Sequence, residues 1–347
     1  MKHLKRRHMF RRTLLSTLCY LALVTTAFAQ DGKSDEFAPG FSGSLTLGVG
    51  VITSESLDEV SDENRKINSL DQSADSETEV MPLPIWHLQY VLENQSTAFY
   101  AGSCQNNPTK GGSILETGIR QRFSDGTVVS LAYIPSIGND EVWADPFLTG
   151  SNRSETDQDI HAFTLALDSV FGTAFDIRYG VGTIDVDDEK SGTYLLSQPG
   201  SGVTASNLSS LDRSGTVHQV DVAYAFELGR TAMIQPALSY RLGDIDGEAN
   251  AFNEYQGDLA IHHAWRGLHF SHSISLAYAD YDGNHVVFDK TREDTTYSIQ
   301  TGFQIPRVFG WESFDFTAMA GYQVTDSNIS YYDANSLLLG MGLNWRF

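Results

Sequence analysis

Charged side chains recur at every second position in several stretches of the chain, a spacing that places them on one face of an extended strand. Glu116, Arg120 and Arg122 share a parity, as do Asp176 and Arg178. Asp168, Asp221, Arg241, Asp258, Arg266, Asp315 and Arg346 fall on the corresponding face of their own segments, giving six acids against six bases. Neutral polar residues share that face: His87, Gln89, Gln219, Gln235, His262, Gln300, Gln304 and the row Ser271-x-Ser273-x-Ser275. A face of this kind can hold water and hydrated solutes, or it can be cross-linked by its own ion pairs. The balanced signs predict a wall without strong selectivity of its own.

Reactive constellations are thinner. Ser271, His262, His269, His272 and Asp258 are close in sequence, as a serine hydrolase would need. No nucleophile elbow accompanies them, and serine is common on polar strand faces. Asp185-x-Asp187-Asp188-Glu189 and Asp244-x-Asp246-Gly247-Glu248 are dense in carboxylate. Neither has the glycine at the sixth position and the glutamate at the twelfth that a calcium-binding loop requires. His262 and His263 point to opposite faces of one strand. No cofactor and no enzymatic activity are therefore expected.

The elements that carry these residues alternate with period two. Phe41, Leu45, Leu47, Val49 and Val51 are interleaved with Ser42, Ser44, Thr46, Gly48 and Gly50. At the other end, Leu337, Leu339, Met341, Leu343, Trp345 and Phe347 alternate with small or polar residues. Fourteen such segments are expected, or twelve if short ones such as 97–102 are misread. Their connections sort by length: 93–96, 124–127, 169–173, 227–230, 266–267 and 307–312 are short, whereas 55–80, 103–112, 136–158, 185–214, 243–256, 282–294 and 324–335 are long. Strict alternation of short turns and long loops predicts an all-β, up-and-down antiparallel transmembrane barrel with periplasmic turns and extracellular loops.

The apolar face supports this orientation. Trp86, Tyr133, Tyr179, Tyr240, Tyr278, Tyr297 and Tyr322 fall towards the long-loop ends, and Phe41, Phe123, Phe175, Phe226, Phe314, Trp345 and Phe347 towards the short-turn ends. Two levels of aromatic residues match two lipid interfaces. Mean hydropathy is −0.23, as for a soluble protein. Alternation averages the apolar face away.

The first twelve residues carry six bases and no acid, followed by an apolar stretch and Ala27-Phe28-Ala29. Residues 1–29 read as a cleaved secretory signal, 30–40 as a short periplasmic segment and 41–347 as the barrel. Beyond the signal stand 17 Lys and Arg against 44 Asp and Glu, a formal charge of −27. That excess argues against a nucleic-acid partner. The long loops hold 29 acids and 8 bases, which suits a solvated surface or an acidic mouth that gathers cations and contacts lipopolysaccharide. Cys104 alone survives cleavage, so no disulfide can form within the chain.

The segments Gly40–Gly50, Ser69-Leu-Asp-Gln-Ser-Ala-Asp75 and Trp143-Ala-Asp-Pro-Phe-Leu-Thr149 resemble a family of proteobacterial outer-membrane proteins filed as a domain of unknown function. The resemblance spans the chain beyond the signal. It implies location and fold, and brings no assigned residues.

Fourteen strands about 4.8 Å apart and tilted about 40° give a backbone radius of roughly 14 Å. Inward side chains leave an opening of roughly 8 Å radius unless loops fold in, and 136–158 and 185–214 are the loops expected to narrow it. The expectation is a passive, monomeric, porin-like channel in the Gram-negative outer membrane. Trp345 and Phe347 would be read by the barrel-assembly machinery. A structural or surface-interaction barrel is the alternative, and an outer-membrane hydrolase a more distant one.

Overall fold

The computed structural model describes residues 36–103, 107–109, 115–137 and 140–347. The expected signal peptide and Cys104 lie outside the described residues. The strands, in chain order, are β1 (Gly40–Ser56), β2 (Glu77–Val91), β3 (Thr97–Gly102), β4 (Glu116–Arg122), β5 (Val128–Ile134), β6 (Asp140–Trp143), β7 (Glu155–Asp168) and β8 (Phe175–Val186). They continue as β9 (Gly215–Tyr224), β10 (Phe226–Leu228), β11 (Ala232–Ile245), β12 (Phe252–Trp265), β13 (Leu268–His285), β14 (Lys290–Ile305), β15 (Phe314–Ser327) and β16 (Ala334–Arg346). β9 and β10 pair with β11 in one register, with only Ala225 between them. β6 pairs with β7 beyond the end of β5. The wall therefore has fourteen antiparallel strands, each joined to its sequence neighbours. β16 closes the ring on β1, from Ser44↔Arg346 to Ser56↔Ala334. Closure leaves no unpaired edge.

Alternation dictates which side chains meet lipid. Leu47, Leu131, Phe163, Leu238, Ile274, Ile299 and Met341 are all more than half exposed. Their neighbours Thr46, Ser130 and Thr164 are buried within the ring. A soluble barrel would reverse this order, so the exposed apolar belt identifies a membrane-spanning barrel. No helix among the described residues is long and apolar enough to cross a membrane.

Several strands are longer at their extracellular ends than the alternation predicts. β2 begins at Glu77, within the connection expected to run to 80, β12 at Phe252 rather than 257, and β14 at Lys290 rather than 295. Pairing continues above the bilayer, where the outward face no longer needs to be apolar and the period-two signal fades.

The long loops are folded rather than loose. A buried cluster above the ring joins Leu57, Ile67, Phe147, Leu195, Val203, Leu211, Ala249, Ile329, Tyr331 and Tyr332, with Val286, Val287 and Phe288 packed on it. It draws on six of the seven extracellular connections and forms a cap. Arg153, 1% exposed, ties the cap together. Its guanidinium donates to the carbonyls of Leu57 (2.7 Å), Pro146 (3.1 Å) and Asn64 (2.5 Å) and lies 3.1 Å from the Tyr331 hydroxyl. The Trp143 ring covers it at 4.2 Å. Tyr331 in turn donates to the Pro146 carbonyl at 2.8 Å. Asp145 accepts the backbone N–H groups of Phe147, Gly192 and Tyr194. Burial still pushes its carboxyl above the usual carboxylate range.

Candidate functional site in the lumen

Among the described residues, polar cavities lie on opposite arcs of the inward wall. The first, about 180 Å³, lies among β2, β3, β4, β5, β7 and β8 and is lined by His87, Tyr100, Glu116, Arg120, Asp168 and Arg178 together with smaller residues. Tyr100 donates to Glu116 at 2.7 Å, and His87 stacks on the Tyr100 ring. Arg178 stands directly across from Asp221 on β9. This arc concentrates charge of both signs.

Glu36 and Phe37 approach this cavity through Arg120, which lines it. Phe37 is 1% exposed and packs against Val91, Ala98 and Val128. The Arg120 and Arg122 guanidiniums lie over its ring at 5.7 and 4.6 Å. Glu36 pairs with Arg120 at 2.5 Å, and its carbonyl accepts from Gln89 at 2.7 Å. Of the described part of the 30–40 segment, Phe37 is thus buried against the ring while Glu36, Ala38 and Pro39 stay exposed.

The described residues 107–109 of the connection 103–112 lie inside the ring, whereas 136–158 and 185–214, the two loops named from sequence, contribute to the cap above it. Pro108 and Thr109 lie against Gly180 and Gly182 of β8. A Cβ on Gly182 would fall 2.6 Å from Thr109 Cγ2, and one on Gly180 3.2 Å from Pro108 Cβ. Glycine at these inward positions makes room for the loop. Arg241 holds it from the far side, donating from Nε to the Pro108 carbonyl at 3.0 Å while Nη1 pairs with Glu254 at 3.0 Å.

The second cavity, about 240 Å³, sits under the cap along the extracellular half of β12 to β16. Ser275, Ser298, Ser336, Thr296, Thr325, Gln256, Gln323 and Asn335 dominate its lining. Arg292 and Asp294 form an ion pair at 2.6 Å within it. Glu59 descends from the first loop to complete it. The backbone N–H of Glu59 donates to Ser56 Oγ at 3.2 Å, and its carbonyl accepts from Trp143 Nε1 at 3.0 Å. Burial first, and then the neighbouring Asp58, push its carboxyl up to about 7.

The remaining residues singled out from sequence divide by what holds them. Asp221 accepts from Gln219 and Ser239, and Asp258 accepts from Gln256 and Ser275. This Gln-x-Asp plus cross-strand Ser arrangement occurs twice, and it ties up the Asp258 carboxylate that a hydrolase reading would need. Asp176 caps a periplasmic turn by accepting the Ser169 N–H. Asp315, 1% exposed, accepts the Arg307 N–H and pairs with Arg346 at 2.9 Å. Arg122 also donates to the Gln95 carbonyl.

Arg266 departs from its expected inward position. It occupies the two-residue turn between β12 and β13 at a φ of 52°, exposed, with its guanidinium 4.7 Å above the outward-facing Trp265 ring. A turn residue has no strand parity, so alternation could not place it. His272 faces outward, 2.8 Å from Thr301 Oγ1, whereas Ser271, His262 and His269 are buried on the inward side. In the acidic stretches, Glu189 is gripped by Arg213 at 2.8 and 3.0 Å, and Asp188 by Lys190. Among the described residues no cluster of three His, Cys, Asp or Glu is placed to hold a metal.

Glu59, Arg292 and Asp294 were visible in the sequence only as loop charges. The signal that could have raised them is Arg292-x-Asp294, a period-two pair continuing the inward parity of Thr296 and Ser298.

A family model described as "Protein of unknown function (DUF2860)" matches residues 40–346. No curated protein matches the chain. Solved structures with a similar arrangement include the outer membrane protein OmpTdeltaL8 of Vibrio cholerae (11% identity, 88% of this chain and 99% of that one, TM-score 0.40). The outer membrane channel DcaP of Acinetobacter baumannii (9%, 89% and 98%, TM-score 0.41) and the CymD monoaromatic hydrocarbon channel (8%, 89% and 89%, TM-score 0.46) are also similar.

Proposed function

The chain belongs to the family described as Protein of unknown function (DUF2860), and we propose that it is an outer-membrane channel for small hydrophilic solutes with a mild preference for cations. One observation supports the reading above others. The lumen keeps polar cavities lined by hydroxyl, amide and charged groups, where a merely structural barrel could have filled the same space with side chains. Small inward residues beside the cavities, among them Ser130, Ser298 and Ser336, leave room for water. The acid-rich loops supply the cation preference by raising the local concentration of positive solutes. The protein works as a monomer in contact with lipopolysaccharide, and not as an enzyme.

The cap and residues 107–109 take up part of the roughly 8 Å radius of an unobstructed fourteen-stranded ring. Conductance steps in planar bilayers should therefore be small, and reversal potentials in a KCl gradient should favour K⁺. A second reading, a closed barrel that serves structure or surface contact, draws on the apolar core of the cap. Absence of steps both in the native protein and in a variant with a loosened cap would sink the channel and leave this second reading.

A further inference from the structure

The cavity beneath the cap has a chemistry more specific than a wet wall. Its lining contains no aromatic ring, so it offers no platform for stacking a sugar face. Its one guanidinium is committed: Arg292 pairs with Asp294, and the rings of Tyr281 and Tyr332 cover it at 4.5 and 3.5 Å. An anion therefore finds no cation to meet. The Glu59 carboxylate, by contrast, has no ionic or hydrogen-bonding partner among the described residues, although its backbone is pinned at both N–H and carbonyl. The charged groups nearest it are Asp58 on its own segment, the Arg292–Asp294 pair on β14, and Arg153, which donates to the Leu57 carbonyl and stacks on the Trp143 ring that bonds Glu59. The lining from β12, β13, β15 and β16 is neutral.

We propose that this cavity is a binding site for small organic ammonium ions, with the Glu59 carboxylate as counter-ion and Ser298, Gln323 and Ser336 as hydrogen-bonding partners. The inference rests on the channel reading for its purpose, since such a site would select what passes. The space equals about eight water molecules, enough for a diamine of a few carbons. The difficulty of holding Glu59 charged near neutrality is the difficulty that a bound cation removes.

The test is titration calorimetry on the detergent-refolded full barrel at pH 8, with putrescine as the probe and glycerol as its uncharged counterpart. Putrescine should bind and glycerol should not. Glu59→Gln should weaken putrescine by at least about tenfold and Ser298→Ala by about threefold, with both variants still shifting on gels when heated. Native binding should weaken as the pH is lowered through 7 and Glu59 takes up its proton. Equal putrescine affinity in the native protein and Glu59→Gln would overturn the site, as would binding of glycerol as tight as that of putrescine. Bilayer recording separates this from the channel reading. Conductance with no Glu59-dependent binding removes the site alone, whereas Glu59-dependent binding without conductance upholds the site and removes the channel.

Discussion

The barrel wall and the extracellular cap bury their apolar residues by opposite rules. In the wall, Leu47, Leu238 and Met341 face outward and the polar residues face in. In the cap, Leu57, Ile67, Phe147 and Tyr331 turn inward, as in a soluble domain, and the buried Asp145 is satisfied by backbone N–H groups. The change of rule coincides with the change of solvent, from lipid to water. The wall draws its integrity from a closed ladder of backbone hydrogen bonds. The cap has little regular pairing, and depends on one buried guanidinium and a few tyrosines.

The sharpest break in this comparison is Arg153→Met. It would leave the carbonyls of Leu57, Pro146 and Asn64 without their shared donor, costing the cap on the order of 3 kcal/mol or more. The expected outcome is rapid proteolysis within 57–76 and a larger conductance, while the barrel still migrates differently before and after boiling. Loss of that gel shift would show that cap and wall are one cooperative unit.

On the wall side, deletion of Phe347 should cut the yield of assembled barrel several-fold and leave the conductance of the assembled fraction unchanged. Phe347 bonds to Gly43 through both backbone groups, at 2.9 and 3.1 Å, and packs on Trp345 at a centroid distance of 4.7 Å. Normal yield after deletion would remove it from assembly.

Tyr331→Phe is a milder probe of the cap. It removes the hydroxyl shared by Arg153 and the Pro146 carbonyl, and should cost about 1–2 kcal/mol, read as faster hydrogen exchange in the loops alone.

Glu59→Gln is the smallest and most pH-sensitive change. A carboxyl raised from its ordinary value to about 7 adds stability that is complete below the ordinary value and is lost as the pH rises through 7. Replacing it with a neutral amide should thus leave cap stability unchanged near pH 4 and raise it at pH 8. No gain at pH 8 would mean that the Glu59 charge is already compensated.

The same contrast explains what the sequence could say. The wall was legible because lipid on one side and water on the other impose period two: strand number, turn and loop sorting, the outward Leu47 and Met341, and the inward Arg178 and Asp221 all follow from parity. The cap was not, because Leu57, Ile67, Phe147, Val203 and Tyr331 are scattered over separate loops and share no period. Read locally, each loop is an acidic, solvated excursion. Glu59 was one acid among nine in its loop, and only the Trp143 bond and the proximity of β14 distinguish it. Arg266 failed for the complementary reason, since it sits where alternation stops.

The position of Phe37 sets the floor of the barrel apart from its roof. Its partners, Val91, Ala98, Arg120, Arg122 and Val128, belong to β2 through β5, consecutive strands on one arc next to β1. The cap gathers loops from the whole circumference. The floor contact is thus independent of the β1–β16 seam, whereas the roof brings together loops on both sides of it.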